Sequence, residues 1–135
     1  MNWICLVFGS CLGGAARYGV ALMTARFLVT PFPVGTLIVN LTGCLLAGFL
    51  VSLPSDRIPL TSEARLLLLT GFCGAYTTFS AWILESSELF RNGQIMLALV
   101  NIALSVAAGF LFFKGGVWLA RLFRFTSVSP PVSLT

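Results

Sequence analysis

Four long apolar runs, parted by short polar or proline-containing breaks, dominate this chain and leave it few folds. A helix needs roughly 20 apolar residues to cross a hydrocarbon core of about 30 Å, and each run is long enough to do so. With 58% hydrophobic residues, 9% charged residues and a mean hydropathy of +0.99, the chain lies outside the range of water-soluble domains. The expected fold is an all-α integral membrane protein with four transmembrane helices. Its 135 residues make one membrane domain over 1–126 and a flexible Ser/Pro-rich tail over 127–135.

The first run covers about 3–29 and is closed by Thr30-Pro31-Phe32-Pro33, where two prolines forbid further helix. It lacks a basic leader and is too long for a signal core, so it reads as a retained helix. The second covers about 34–53 and stops at Pro54-Ser55-Asp56-Arg57. The third covers about 63–90, with Ser62 or Glu63 at its start and Arg65 in its first turn. It changes character between Thr70 and Ser80, where two glycines and several hydroxyls predict a break near 71–78. The fourth follows the Arg91-Asn92-Gly93 turn and covers about 94–120, with Lys114 free to snorkel.

The net charge of +4 comes from scattered basic residues rather than a patch interleaved with aromatics, which excludes nucleic acid as a partner. With an even number of crossings, Arg57, Arg65, Lys114, Arg121 and Arg124 share one side and Arg26 and Arg91 the other. The positive-inside rule then puts both termini in the cytoplasm of a multi-pass protein of the inner (plasma) membrane. Cys5, Cys11, Cys44 and Cys73 lie in apolar runs with neither paired spacing nor histidine, so they read as small packing residues. Small residues recur at four-residue spacing in Gly9/Gly13, Ala15/Gly19, Gly43/Ala47 and Ser105/Gly109, the pattern of close helix contact in lipid. Four short helices enclose little volume, so an ion path calls for a second subunit.

Arg17 lies inside the first run, roughly 16 Å from its end. It either snorkels to carbonyls or stands beside an anion path, and in neither case faces lipid. Asn40, alone in an apolar helix, is either interhelical glue or an N–H donor lining an anion path. The 71–80 stretch is either a kink or a source of freed carbonyls, which make natural cation ligands. Phe79 and Trp82, at i and i+3, share a face and offer positive ring edges and an indole N–H, or simply pack. Asn101 and Ser105, at i and i+4, form either helix glue or a polar track. Glu85 lies towards an aqueous end, where a solvated carboxylate is the ordinary reading. With no histidine, no phosphate loop and no paired acids on one helical face, no enzyme is expected.

Together these positions resemble the small fluoride channel family called Fluc or CrcB. Gly9-Ser10-x-x-Gly13-Gly14-x-x-Arg17-Tyr18 is similar to its first-helix motif, GGxxGAxxR(Y). Gly35-Thr36-Leu37-Ile38-Val39-Asn40-Leu41-Thr42-Gly43-Cys44 is similar to GTxxVNxxG(C/S), and Gly71-Phe72-Cys73-Gly74-Ala75-Tyr76-Thr77-Thr78-Phe79-Ser80 to GxxGGxTTFS. The resemblance implies an antiparallel, dual-topology dimer with two fluoride pores at its interface. It also implies a structural sodium ion at the dimer centre, held by main-chain carbonyls that here belong to Gly74 and Thr77. Asn40, Phe79 and Ser105 take the places of pore residues, with Trp82, Asn101, Thr78 and Ser80 beside them and Arg17 and Glu85 at the vestibule.

Two residues depart from the family pattern: Trp82 replaces a second pore phenylalanine, and Asn101 stands where a tyrosine is common. Because one subunit's phenylalanines face different pores in such a dimer, the chain also fits one non-autonomous half of a heteromeric channel. The resemblance implies passive export that lowers fluoride toxicity, since hydrogen fluoride enters uncharged and leaves fluoride trapped at the higher internal pH. The rival from another class is a subunit of a small four-helix multidrug or cation exporter, which would need a membrane-embedded acid in the first helix. This chain has none there.

Overall fold

A computed structural model describes residues 2–53 and 60–125, with side chains through Leu122. The polar stretch at 54–57, the Arg124 side chain and the 127–135 tail therefore lie outside the described residues. Four helical spans are long and apolar enough to cross a membrane. Helix α1 (Asn2–Phe27) stops ahead of Pro31 and Pro33, and α2 (Val34–Val51) starts directly after them. The third span, Ser62–Arg91, is composite. Its first part, α3, covers 62–76 as an α-helical turn (Ser62–Arg65), a π-helical stretch (Leu66–Cys73) and a last turn (Gly74–Tyr76). Thr77 and Thr78 are extended, and α4 (Phe79–Arg91) resumes the span. After a turn in which Gly93 takes φ 73°, where a side chain would be strained, α5 (Ile95–Phe125) completes the domain.

The break is narrower and later than the glycines suggested. Helical geometry persists through Tyr76, and only Thr77 and Thr78 leave it. Gly71 serves packing instead: a Cβ there would meet the Leu6 carbonyl and the Gly9 Cα of α1 at 3.0 and 3.1 Å. The widened π-helical turns have no separate signal in the residues.

Backbone contacts give the direction of every span. Gly9 lies against the Leu67 carbonyl and Gly13 against that of Phe72, so α1 and α3 run the same way. Gly48 meets the Phe113 carbonyl and Gly109 the Cys44 sulfur, so α2 and α5 run together in the opposite sense. The strongest pairings are α2 with α5 and α1 with the π-helical stretch. In lipid such contacts are stabilised by close van der Waals approach, which a methyl group at these glycines would block. The Ala15/Gly19 pair differs: nothing lies within 4 Å of a Cβ built on Gly19, so it sits off any helix contact within the single chain.

Little is buried. Val39, Leu50, Cys73, Leu89, Ala98 and Ala120 form a thin apolar core, while rings such as Phe79 and Phe110 are 73% and 68% exposed. An apolar exterior suits a chain surrounded by lipid or a second subunit.

Candidate functional site

The interrupted third span creates the site, because backbone freed inside a membrane must find partners. Thr77 stays tied to the helix behind it, its N–H and Oγ1 both donating to the Cys73 carbonyl at 3.0 and 2.9 Å. Thr78 turns to α2: its N–H donates to Asn40 Oδ1 at 2.8 Å, and its carbonyl accepts from Asn40 Nδ2 at 3.1 Å. Thr78 also caps α4, its Oγ1 accepting from the Ala81 N–H at 3.2 Å. These bonds divert two amides from their helical duty. In a continuous helix the Thr78 N–H would serve the Gly74 carbonyl and the Ala81 N–H that of Thr77. Both carbonyls are relieved of their usual donors, which is what an oxygen-liganded cation requires.

Two grooves flank Thr78. The larger, about 510 Å³, is lined by Arg17, Tyr18, Thr36, Thr78, Ser80 and Glu85 among others. It places the in-membrane arginine in a polar recess, as its cost in lipid demands. Glu85 is half-buried: Oε1 accepts from Thr36 Oγ1 at 2.7 Å, and Oε2 is buried without a partner. The solvated carboxylate expected at that position is thus replaced by a helix-to-helix acceptor, because α2 packs over α4 there. The Arg17 guanidinium does not reach it, since Oε2 would otherwise be paired.

The second groove, about 360 Å³, is lined by Asn40, Cys44, Thr77, Thr78, Phe79, Trp82, Ser105 and Val106. Phe79 and Trp82 pack at 5.2 Å between ring centroids with planes tilted by 53°, so ring edges as well as faces reach the groove. The Trp82 indole N–H is buried and has no acceptor. Asn40 is both glue and donor: one N–H and the oxygen clamp Thr78, and the amide's second N–H is left over on the groove side of α2.

Most of the expected positions converge on these grooves, and Asn101 does not. It is 0% exposed and donates from Nδ2 to Ser86 Oγ at 3.0 Å, between α4 and α5. Sharing a face with Ser105 placed it near the groove without opening it to the groove. Two residues went unassigned in the sequence. Thr36 lies one helical turn before Asn40, a polar i, i+4 pair that was legible. Ser86, which donates to the Trp82 carbonyl at 2.7 Å, looks like any serine in a helix.

Residues 4–117 match the family described as CrcB-like protein, Camphor Resistance (CrcB). Similar proteins include Fluoride-specific ion channel FluC of Maridesulfovibrio salexigens, 41% identical over 121 residues that cover 90% of this chain and 96% of that one. The protein of the same name from Desulforapulum autotrophicum is also 41% identical over 121 residues, covering 90% and 97%. Fluoride-specific ion channel FluC 2 of Mycobacterium tuberculosis is 42% identical over 120 residues, covering 89% and 91%. With the family description matched over most of its length and relatives of this similarity aligned nearly end to end, the chain belongs to the CrcB family.

Proposed function

We infer that this chain is a fluoride channel of the membrane, passing the anion passively. The observation that carries the reading is the second groove, where an unspent Asn40 N–H, the Ser105 hydroxyl and the Phe79 and Trp82 ring edges converge beside a helix break. Relatives of 41% identity over nine-tenths of the chain are named for the same ion.

Fluoride is small and strongly hydrated, so passage requires neutral donors that replace water without trapping the ion. Amide and hydroxyl donors and ring edges meet that requirement, and a lysine or arginine in contact with the ion would hold it too long. Arg17 in the larger groove raises the local anion concentration from a distance instead. No acid lies in α1, and the family does not favour the exporter alternative.

The path is completed by a second copy in antiparallel orientation. Support comes from the open, one-sided grooves and the 73% exposure of Phe79, which a partner surface would cover. A sodium ion at the junction of the two copies fits the Gly74 and Thr77 carbonyls, since both have lost their helical amide donors. When bound it would supply fixed positive charge and tie the two breaks together.

Liposomes carrying the purified chain, with potassium clamped by ionophore, test the reading. Fast fluoride efflux without chloride efflux is expected. A folded sample that releases neither ion would overturn a channel formed by this chain alone.

A further inference from the structure

Behind the second groove, a file of hydrogen bonds joins two of its lining residues through the protein interior. Ser105 Oγ donates to Asn101 Oδ1 at 3.5 Å, Asn101 Nδ2 to Ser86 Oγ at 3.0 Å, and Ser86 Oγ to the Trp82 carbonyl at 2.7 Å. Asn101 is 0% and Ser86 3% exposed, so water supplies neither with an alternative partner.

The far end sets the direction of the file. A carbonyl only accepts, so the Ser86 proton is committed to Trp82 and Ser86 can only accept from Asn101. The amide nitrogen must therefore face Ser86, and the amide oxygen must face Ser105. That oxygen also only accepts. Ser105 thus directs its proton inward and its lone pairs into the groove, the wrong polarity for an anion. Yet its bond is the longest of the three, well past the usual ~2.8 Å for a hydroxyl donor, and is the first to yield.

We propose that Asn101 is a positioning residue that withholds the Ser105 hydroxyl proton until an anion in the groove draws it over. This rests on the fluoride-channel reading and adds to it that Ser105 is a two-position donor whose readiness Asn101 sets. A compact anion forms a charge-assisted bond roughly twice as strong as the neutral one it displaces. Chloride, larger and a weaker acceptor, competes less well for the same proton, so the competition itself discriminates between the ions.

The test is a double-mutant cycle on the full chain in liposomes, reading the fluoride concentration that half-saturates flux. Asn101→Leu removes the competing acceptor and is expected to lower that concentration about two- to threefold, the worth of one weak neutral hydrogen bond. In a Ser105→Ala background the same change should do nothing. Equal shifts in both backgrounds would mean that Asn101 acts through packing alone, and the proposal fails. Should Asn101→Leu not assemble, Ser86→Ala frees the amide to turn its N–H towards Ser105. The same dependence on Ser105 is expected, and an effect that ignores Ser105 overturns the idea. A wild-type chain that carries no fluoride sinks the channel reading, whereas fluoride flux with an additive cycle sinks only the role of Asn101.

Discussion

Asn40 and Thr78 exchange two hydrogen bonds, side-chain amide to main-chain peptide, so that one residue of α2 stands in for the helix that the third span lacks at its break. The amide orientation is settled by chemistry, since the Thr78 N–H needs an oxygen opposite it. The same clamp spares one Asn40 N–H and relieves the Gly74 carbonyl of its donor. A structural bond, an anion donor and a freed cation ligand therefore share one side chain.

Asn40→Asp is expected to abolish fluoride flux while the protein still folds. The carboxylate keeps the bond from the Thr78 N–H, loses the one to the Thr78 carbonyl, and sets a negative charge beside the anion path. Asn40→Ala removes both bonds and leaves two buried backbone groups unpaired, a cost of about 1–3 kcal/mol each. Thermal unfolding in detergent should show Asn40→Ala well below Asn40→Asp, and the reverse order would contradict the clamp.

Phe79→Ile tests the groove without testing the core. The ring is 73% exposed in the single chain, so its loss removes little intramolecular packing, yet it deletes the ring edge beside Trp82. Flux should fall below detection with the elution volume of the assembled protein unchanged. Undiminished flux would remove Phe79 from the path.

Much of this arrangement was legible because the break, the glycines and the lone Asn40 stand out against apolar sequence. What stayed hidden has a common physical cause: in a membrane helix the apolar pattern does not tell lipid-facing from protein-facing sides. Asn101 and Ser105 share a helical face, yet one is sealed between α4 and α5 and the other lines a groove. Glu85 reads as a solvated acid until Thr36 of another helix is placed against it. Gly71 marked the break by composition, while its actual neighbour is the backbone of α1.

Close approach also sorts the glycines of α1. Gly9→Ala would drive a methyl into the Leu67 carbonyl of a rigid neighbouring helix, whereas Gly14→Ala meets nothing within 4 Å. Overpacking of this kind costs about 1–3 kcal/mol, and backbone cannot rotate away as a side chain can. The Gly9 variant should lose folded yield and melt several degrees lower, and the Gly14 variant should match wild type. Similar melting of both would mean that α1 does not pack on α3 through Gly9.

Trp82 offers the opposite sign. Its indole N–H is buried with no acceptor, a desolvation cost of about 1–3 kcal/mol that the folded chain carries unrelieved. Trp82→Phe removes the donor and keeps an aromatic ring packed against Phe79, though the smaller ring gives back part of the gain as lost contact. The variant should be at least as stable as wild type by thermal unfolding and should retain fluoride flux, because the ring edge is preserved. If it melts markedly lower, the indole N–H has a partner in the assembled protein, and a second subunit's carbonyl or hydroxyl at the dimer face is where that acceptor must lie. The stability of this one variant, measured in both monomeric and assembled fractions, therefore reports whether Trp82 turns its donor towards the groove or towards a partner.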